Sequence, residues 1–267
     1  MIDVLILAVT GAAAGTIGGL FGIGGGILIV PVLYVLFTGG GADPEIAMKT
    51  AVGTSLATII VTSARSIRAH HKRGAVDFSI LRGWGPFIAG GAVLGAVAAR
   101  VISGQVLVIV FALGAIAMGV QRLRPDDGGA KAIDFSGALQ RLLAVLTGFF
   151  SALMGIGGGV LGVMLLTLAG RPMHQAVGTA SGFGMAIAIP GALGFVLVGM
   201  GQSTLGGALG FVHGPAFLGI ALGTLIFAPL GARLAHKLSA QRLSSIFGIY
   251  LLITGGLLLR EAAVNLS

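Results

Sequence analysis

The chain has 267 residues, 56% hydrophobic and only 9% charged, where an ordinary soluble domain carries about 25% charged residues, so it has too few charges to cover a water-soluble surface. Its net charge of +8, with one Trp and two Tyr, fits positively charged membrane loops rather than a nucleic-acid platform, and the absence of Cys removes disulfides, thiolate metal centres and thiol relays. Glycine is in excess, at 48 residues or about 18% against an average near 7%, with no collagen period.

Residues 4–37 form an apolar stretch too long for one span of about 20 residues and too short for two. Gly24, Gly25 and Gly26 break it. No basic residue precedes it, so it is read as structure and not as a signal peptide. It fits either a broken spanning helix or a re-entrant hairpin. Apolar stretches over 50–69, 78–102 and 104–121 follow. A polar linker with Pro125, Asp126 and Asp127 comes next. The order then repeats: a long stretch over 139–169, broken at Gly157, Gly158 and Gly159, and further stretches over 173–199, 208–235 and 243–259.

The repetition extends to the residues themselves. Gly22-Ile23-Gly24-Gly25-Gly26-Ile27-Leu28 recurs as Gly155-Ile156-Gly157-Gly158-Gly159-Val160-Leu161, and Met48 to Thr54 recurs as Met173 to Thr179. The chain therefore divides into a repeat at 1–122, a cytoplasmic linker at 123–137 and a repeat at 138–267, together one membrane domain. Arg65, Arg68, Lys72, Arg73 and Arg82 place the loop after the second stretch in the cytoplasm. Arg171, Arg233, Lys237 and Arg242 join that side only if residues 139–169 enter and leave on the same face. One hairpin plus three spans is an odd number of crossings, so the two repeats are expected to be inverted, with both termini extracytoplasmic. The expected fold is an all-α, multi-pass integral membrane protein. Each of its two inverted repeats is a Gly-rich re-entrant or broken helix plus three transmembrane helices, a frequent plan among secondary transporters.

The two glycine runs are candidates for a substrate site. Each precedes an apolar half-helix, whose free N–H groups and positive dipole end favour an anion, and glycine lets backbone approach a ligand. Gly11, Gly15, Gly18 and Gly22, with Gly91, Gly95, Ala99, Gly219 and Gly223, fall at close-packing spacings instead. Thr54, Ser55, Thr179 and Ser181 lie about one turn into the following helices, where their hydroxyls can donate to an oxyanion or bond back to a carbonyl. Lys49 and His174 stand just before those helices and either attract and gate an anion or sit at the interface. His213 and His236 are read as structural. The carboxylates Asp3, Asp43, Glu45, Asp77, Asp126, Asp127, Asp134 and Glu261 all fall in termini, loops or helix ends. No apolar stretch has an acidic residue at its centre, which argues against a cation path and for an anionic substrate. No catalytic residues, metal ligands or cofactor motif are expected, and the protein is read as a non-enzyme.

The motifs Gly22-Ile23-Gly24-Gly25-Gly26-Ile27-Leu28-Ile29-Val30-Pro31 and Ala51-Val52-Gly53-Thr54-Ser55, each duplicated, resemble the sulfite exporter TauE/SafE family of membrane transporters over the whole chain. That resemblance implies export of a small sulfur oxyanion, sulfite or an organosulfonate such as sulfoacetate, across the bacterial cytoplasmic (inner) membrane. It also implies that the Gly-rich tips and Thr-containing helix starts form the site. The second copy departs at two places, with Met164 where Pro31 stands and Ala180 where Ser55 stands. An anion channel on the same scaffold is the alternative, and a non-transporting membrane scaffold a third class. The expected partners are a small anion and the lipid bilayer, with no nucleic acid; a homo-oligomer is left open.

Overall fold

The computed structural model describes residues 2–21, 25–123, 133, 135–202, 204–235 and 240–264. Gly24, His236 and most of the 123–137 linker therefore lie outside the described residues. The order is α1 (Ile2–Phe21), α2 (Gly26–Gly39), α3 (Pro44–His71), α4 (Phe78–Ala98), α5 (Gly104–Leu123), α6 (Gly137–Leu153), α7 (Gly159–Leu168), α8 (Met173–Gly199), a hairpin of β1 (Ala208–Leu209) and β2 (Val212–His213), α9 (Gly214–Ala235) and α10 (Ala240–Val264). Among the described residues, five helices are long and apolar enough to cross a membrane, those starting at Pro44, Phe78, Gly104, Met173 and Ser245, the last within α10. The protein is an all-α membrane protein with almost no sheet.

Residues 4–37 and 139–169 each form two helices, divided at the glycine runs as the sequence predicts, while two other element boundaries differ from the expectation, each for a local reason. At about 1.5 Å per residue, the 14 residues of α2 and the 10 of α7 reach roughly 21 and 15 Å, short of the ~30 Å hydrocarbon core. Helix α3 starts at Pro44, not near residue 50. Asp43 caps it by accepting the Glu45 N–H at 2.8 Å, and a proline at the first helical position loses no intrahelical bond. Lys49 and Thr54 are therefore well inside α3. Finally, residues 208–213 are a β-hairpin and not the start of α9.

Pairing between the halves is systematic. Helix α1 packs along α9, and α6 along α4. Both pairs run parallel: Leu7 meets Gly219, Gly11 meets Ile220 and Gly223, and Gly15 meets Thr224, while Gly91 meets Val145 and Gly95 meets Phe149 and Ala152. Helices α3 and α8, which carry the two copies of the Thr motif, run antiparallel, with Gly53 beside Phe195, Leu56 beside Gly191 and Ser63 beside Gly184. So do α5 and α10, with Gln105 donating to the Ala262 carbonyl and Gly119 lying against Gly248. Of the close-packing glycines, Gly11, Gly15, Gly91, Gly95, Gly219 and Gly223 fall at these contacts, as their spacing predicts, and Gly22 lies outside the described residues. Helix α3 runs through the centre: 78% of its apolar window is buried, against 33% for α4.

The bundle has two ends. One holds the α2–α3 connection and the β-hairpin, with the start of α5 beside Glu45 and the end of α10 beside Gln105; we call it the hairpin end. The other brings the α3–α4 and α7–α8 connections together, with Gly178 against Ala75 and Arg171 3.9 Å from Asp77; it is the linker end.

Candidate substrate site

The two glycine runs start two helices, as their sequence predicts. Gly25 is the residue before α2 and has a left-handed backbone, φ 76°. Its carbonyl accepts the Leu28 and Ile29 N–H groups at 3.0 and 3.2 Å. The N–H groups of Gly26 and Ile27 precede the first acceptor of the helix. A side chain at Gly25 would lie 2.8 Å from the Ala14 carbonyl, so the chain has folded back two turns along α1. In the second half Gly158 precedes α7, and its carbonyl takes the Gly162 N–H at 2.8 Å. Between α6 and α7, Gly155 closes α6 in a Schellman motif: its φ is 63°, Gly155 N–H reaches Ala152 and Ile156 N–H reaches Ser151. Every residue from Ser151 to Val160 is buried, Gly157 and Gly159 among them.

The structure brings the runs of the two halves into contact. A Cβ built at Gly26 would lie 2.7 Å from the Gly155 carbonyl oxygen. Ser55, fully buried on α3, donates from Oγ to that same oxygen at 2.8 Å and lies 3.5 Å from the Gly26 carbonyl. One side chain thus joins α3, the start of α2 and the turn before α7. The Gly158 side lies against Phe183 and Gly184 of α8.

The other predicted side chains divide. Thr54 and Thr179 are buried and their oxygens act as acceptors: Thr54 Oγ1 takes the His213 N–H at 2.9 Å, and Thr179 Oγ1 takes the Asp77 N–H at 3.0 Å. Each anchors the residue that starts α9 or α4. Ser181 bonds back to the Gly178 carbonyl at 2.6 Å. Lys49 and His174, equivalent in sequence, part company in structure. His174 is exposed. Lys49 is 3% exposed, pairs with Glu45 at 2.9 Å and stands over the Phe211 ring at 5.9 Å. The interfacial reading of Lys49 is therefore set aside by its burial.

A cavity of about 240 Å³ at the hairpin end is lined by Lys49, Glu45, Asp43, Gln202 and Phe211. A larger one of about 410 Å³ at the linker end is lined by Ser79, Trp84, Gln140, Phe135 and Arg171. No residue is shared between them. In the amide orientation that satisfies both partners, Gln140 accepts from Trp84 Nε1 at 2.8 Å and donates to the Phe135 carbonyl at 3.1 Å. Asp77 stands beside this cavity. The Ser79 hydroxyl, donating at 2.5 Å, is the main cause that holds its carboxyl below the usual range; the Ile80 and Ser79 N–H groups and Arg171 add to it, against desolvation.

Sequence reasoning passed over Asp77 and His213 as helix starters. Asp77 carried a legible signal, an acceptor side chain ahead of an apolar run with Ser two residues on. His213 carried none, because imidazole is an uncommon cap.

A family model described as Sulfite exporter TauE/SafE matches residues 7–258. Among curated relatives, a "Probable membrane transporter protein" of Haemophilus influenzae is 32% identical over 256 residues, covering 94% of this chain and 96% of its own. One from Methanocaldococcus jannaschii is 29% identical, covering 91% and 92%. The "Probable membrane transporter protein YunE" of Bacillus subtilis is 29% identical, covering 96% and 97%. No solved structure matches.

Proposed function

The chain belongs to the sulfite exporter TauE/SafE family, and from that premise we propose that it is a secondary transporter exporting a small sulfur-containing oxyanion, sulfite or an organosulfonate such as sulfoacetate, by alternating access. One observation carries the site assignment: the start of α2 at Gly26 and the glycine turn that leads into α7 meet at buried Ser55, which donates to the Gly155 carbonyl at 2.8 Å and lies 3.5 Å from the Gly26 carbonyl. Buried N–H groups and positive dipole ends stabilise an anion most where water is scarce. Glycine there keeps Cβ atoms away from the ligand. The proposed substrate-binding set is Gly24, Gly25, Gly26, Gly157, Gly158, Gly159, Thr54, Ser55, Thr179 and Ser181. Lys49 supplies charge at the hairpin end, and His174 stands at the linker end.

The two repeats are inverted in this reading. The antiparallel pairing of α3 with α8 and of α5 with α10 supports it, since a two-fold axis in the membrane plane makes equivalent helices antiparallel, whereas an axis along the normal makes them parallel. The linker end faces the cytoplasm of a bacterial inner membrane. Its Arg68, Lys72, Arg73, Arg82, Arg141 and Arg171 support that side. The two ends carry separate cavities, and in this conformation neither is lined by the proposed substrate-binding residues.

The test is thermal stabilisation of the purified protein by a panel of anions. Sulfite or sulfoacetate at 100 times Kd is expected to stabilise by about 2.7 kcal/mol, with sulfate and chloride weaker. Equal stabilisation by chloride, or none by any anion, overturns the substrate class. Flux in proteoliposomes then separates carrier from channel, because a channel cannot be driven uphill by a second gradient.

A further inference from the structure

Helices α4 and α9 begin with the same hydrogen-bond arrangement but different chemistry. At the linker end, Asp77 N–H donates to Thr179 Oγ1, and Asp77 Oδ1 accepts the N–H groups of Ser79 and Ile80 at 2.9 and 3.2 Å. At the hairpin end, His213 N–H donates to Thr54 Oγ1, and His213 Nδ1 accepts the Ala216 N–H at 3.1 Å. An imidazole thus does for α9 what a carboxylate does for α4.

The two ring nitrogens have fixed roles. Nδ1 faces a backbone N–H, so it carries no proton. Nε2 lies 3.1 Å from the Gly206 carbonyl, which can only accept, so Nε2 carries the proton and donates. The ring is therefore the neutral Nε2–H tautomer, set against Phe37 at 5.2 Å between centroids. A second proton would have to enter at Nδ1, against the Ala216 N–H and beside the positive start of α9.

The ring ties the Gly206 loop before the hairpin to the start of α9 and packs on Phe37, and the His213 N–H and Phe211 seat the hairpin on α3 and α8. Phe211 N–H donates to the Phe195 carbonyl of α8 at 3.2 Å. Gly53 of α3 and Gly199 of α8 make the notch: a Cβ at Gly53 would run into the Phe211 carbonyl, and one at Gly199 would lie 2.5 Å from the Phe211 nitrogen. Phe211 also lines the Lys49 cavity.

We propose that His213 is a proton-binding site, and that its protonation releases the hairpin from the α3–α8 notch and opens the Lys49 cavity. The opening of that cavity as a proton-linked transport gate rests on the transporter reading; the release of the hairpin does not. Few charges compete with this role. Asp43, Glu45 and Lys49 lie on the α2–α3 connection and α3, the latter two paired with each other. Tyr34 of α2 faces Glu261. Helices α8 and α9 carry no ionisable residue in their turns at this end. Burial lowers the imidazole from its ordinary 6.5, against the Gly206 carbonyl. The seated hairpin therefore holds fewer protons than the released one, and seating weakens as pH falls below about 6.5.

Hydrogen exchange of the purified wild-type protein between pH 8 and 5, corrected for intrinsic rates, tests this without any substrate. Opening of residues 206–213 is expected to rise by up to tenfold per pH unit below about 6.5. His213→Asn, which keeps an acceptor cap but does not titrate, is expected to give a flat profile, and His213→Asp one that is flat above about pH 5. A flat wild-type profile, or the same rise in both variants, overturns the proposal; should neither variant fold, the wild-type profile decides alone.

Discussion

Ser55 Oγ donates into the turn of the other half at 2.8 Å, while Ala180, its sequence counterpart, has no hydroxyl to do the same. Ser55→Ala leaves the buried Gly155 carbonyl without that donor. The expected cost is about 1–3 kcal/mol, read as a lowered thermal midpoint, and Ser55→Thr is expected to recover part of it. An unchanged midpoint in Ser55→Ala would show that the bond carries no stability. Lys49 and Glu45 give a second, directional case. The Lys49 side chain is 4% exposed and that of Glu45 52%. Glu45→Gln strands a buried cation, whereas Lys49→Met leaves a carboxylate that water can solvate. Thermal unfolding should find Glu45→Gln the more damaging of the two; the reverse order would mean the charge on Lys49 is not stabilised by Glu45. At this scale the sequence pointed to the right residues more often than to their roles. Thr54 and Thr179 stand out by repetition and Ser55 by its place beside Thr54, but the partners of Thr54, Ser55 and Thr179 come from 159, 100 and 102 residues away. Periodicity and local motif carry no information about such contacts.

Elements were more legible, because their signals are local. The glycine runs mark the helix starts at Gly26 and Gly159, since half-helices need a backbone break and Gly supplies one. The start of α3 was displaced because apolar content locates the middle of a helix, while Asp43 and Pro44 locate its end. The hairpin at 208–213 is hidden by its apolar residues, which read as one more stretch of α9. Pro229 leaves α9 without an N–H for the Leu225 carbonyl, and Arg65 Nη1 donates to that carbonyl at 3.0 Å. Helix packing yields a sharper test of the glycine assignment. A Cβ at Gly95 would lie 2.6 Å from the Phe149 carbonyl, whereas Gly90 on the same helix has nothing within 4 Å. Gly90→Ala is expected to be neutral or to stabilise by up to about 1 kcal/mol through helix propensity. Gly95→Ala is expected to destabilise by about 1–3 kcal/mol through overpacking against α6. Thermal midpoints of the two variants check this. Similar midpoints would mean that α4 and α6 have room to separate. Gly90→Ala is also the suitable reference for Gly25→Ala and Gly158→Ala in anion-binding assays, because its own packing is undisturbed.

At the scale of the molecule, chain direction settles which ends of the helices lie together, and the proposed sidedness rests on charge. Helix α5 starts beside Glu45 and runs to the linker end; α10, antiparallel to it, finishes at the hairpin end beside Gln105. Helix α9 leaves the hairpin at His213 and runs to the linker end, and α1 lies parallel to it. The start of α1 and the finish of α10 therefore lie at one end of the bundle. Loop charges alone had suggested the same, but through a count that depended on whether 139–169 is a hairpin; the parallel packing of α6 on α4 reaches it without any charge. Sidedness then follows from the basic residues. Arg68, Lys72, Arg73, Arg82, Arg141 and Arg171 cluster at the linker end, and the hairpin end holds Asp43, Glu45 and Glu261 beside Lys49, Arg100 and Arg260. In the proposed orientation, the positive-inside rule assigns the linker end to the cytoplasm. Tags at the N- and C-termini should then both be reached by an impermeant label or protease added to intact spheroplasts, while a tag inserted after Arg73 should be reached only after lysis. A split result, one terminus on each side, would contradict the packing directions themselves. Both termini inside, with the Arg73 tag outside, would keep the packing and the inverted plan but reverse the charge argument, and with it the direction in which the His213 hairpin faces.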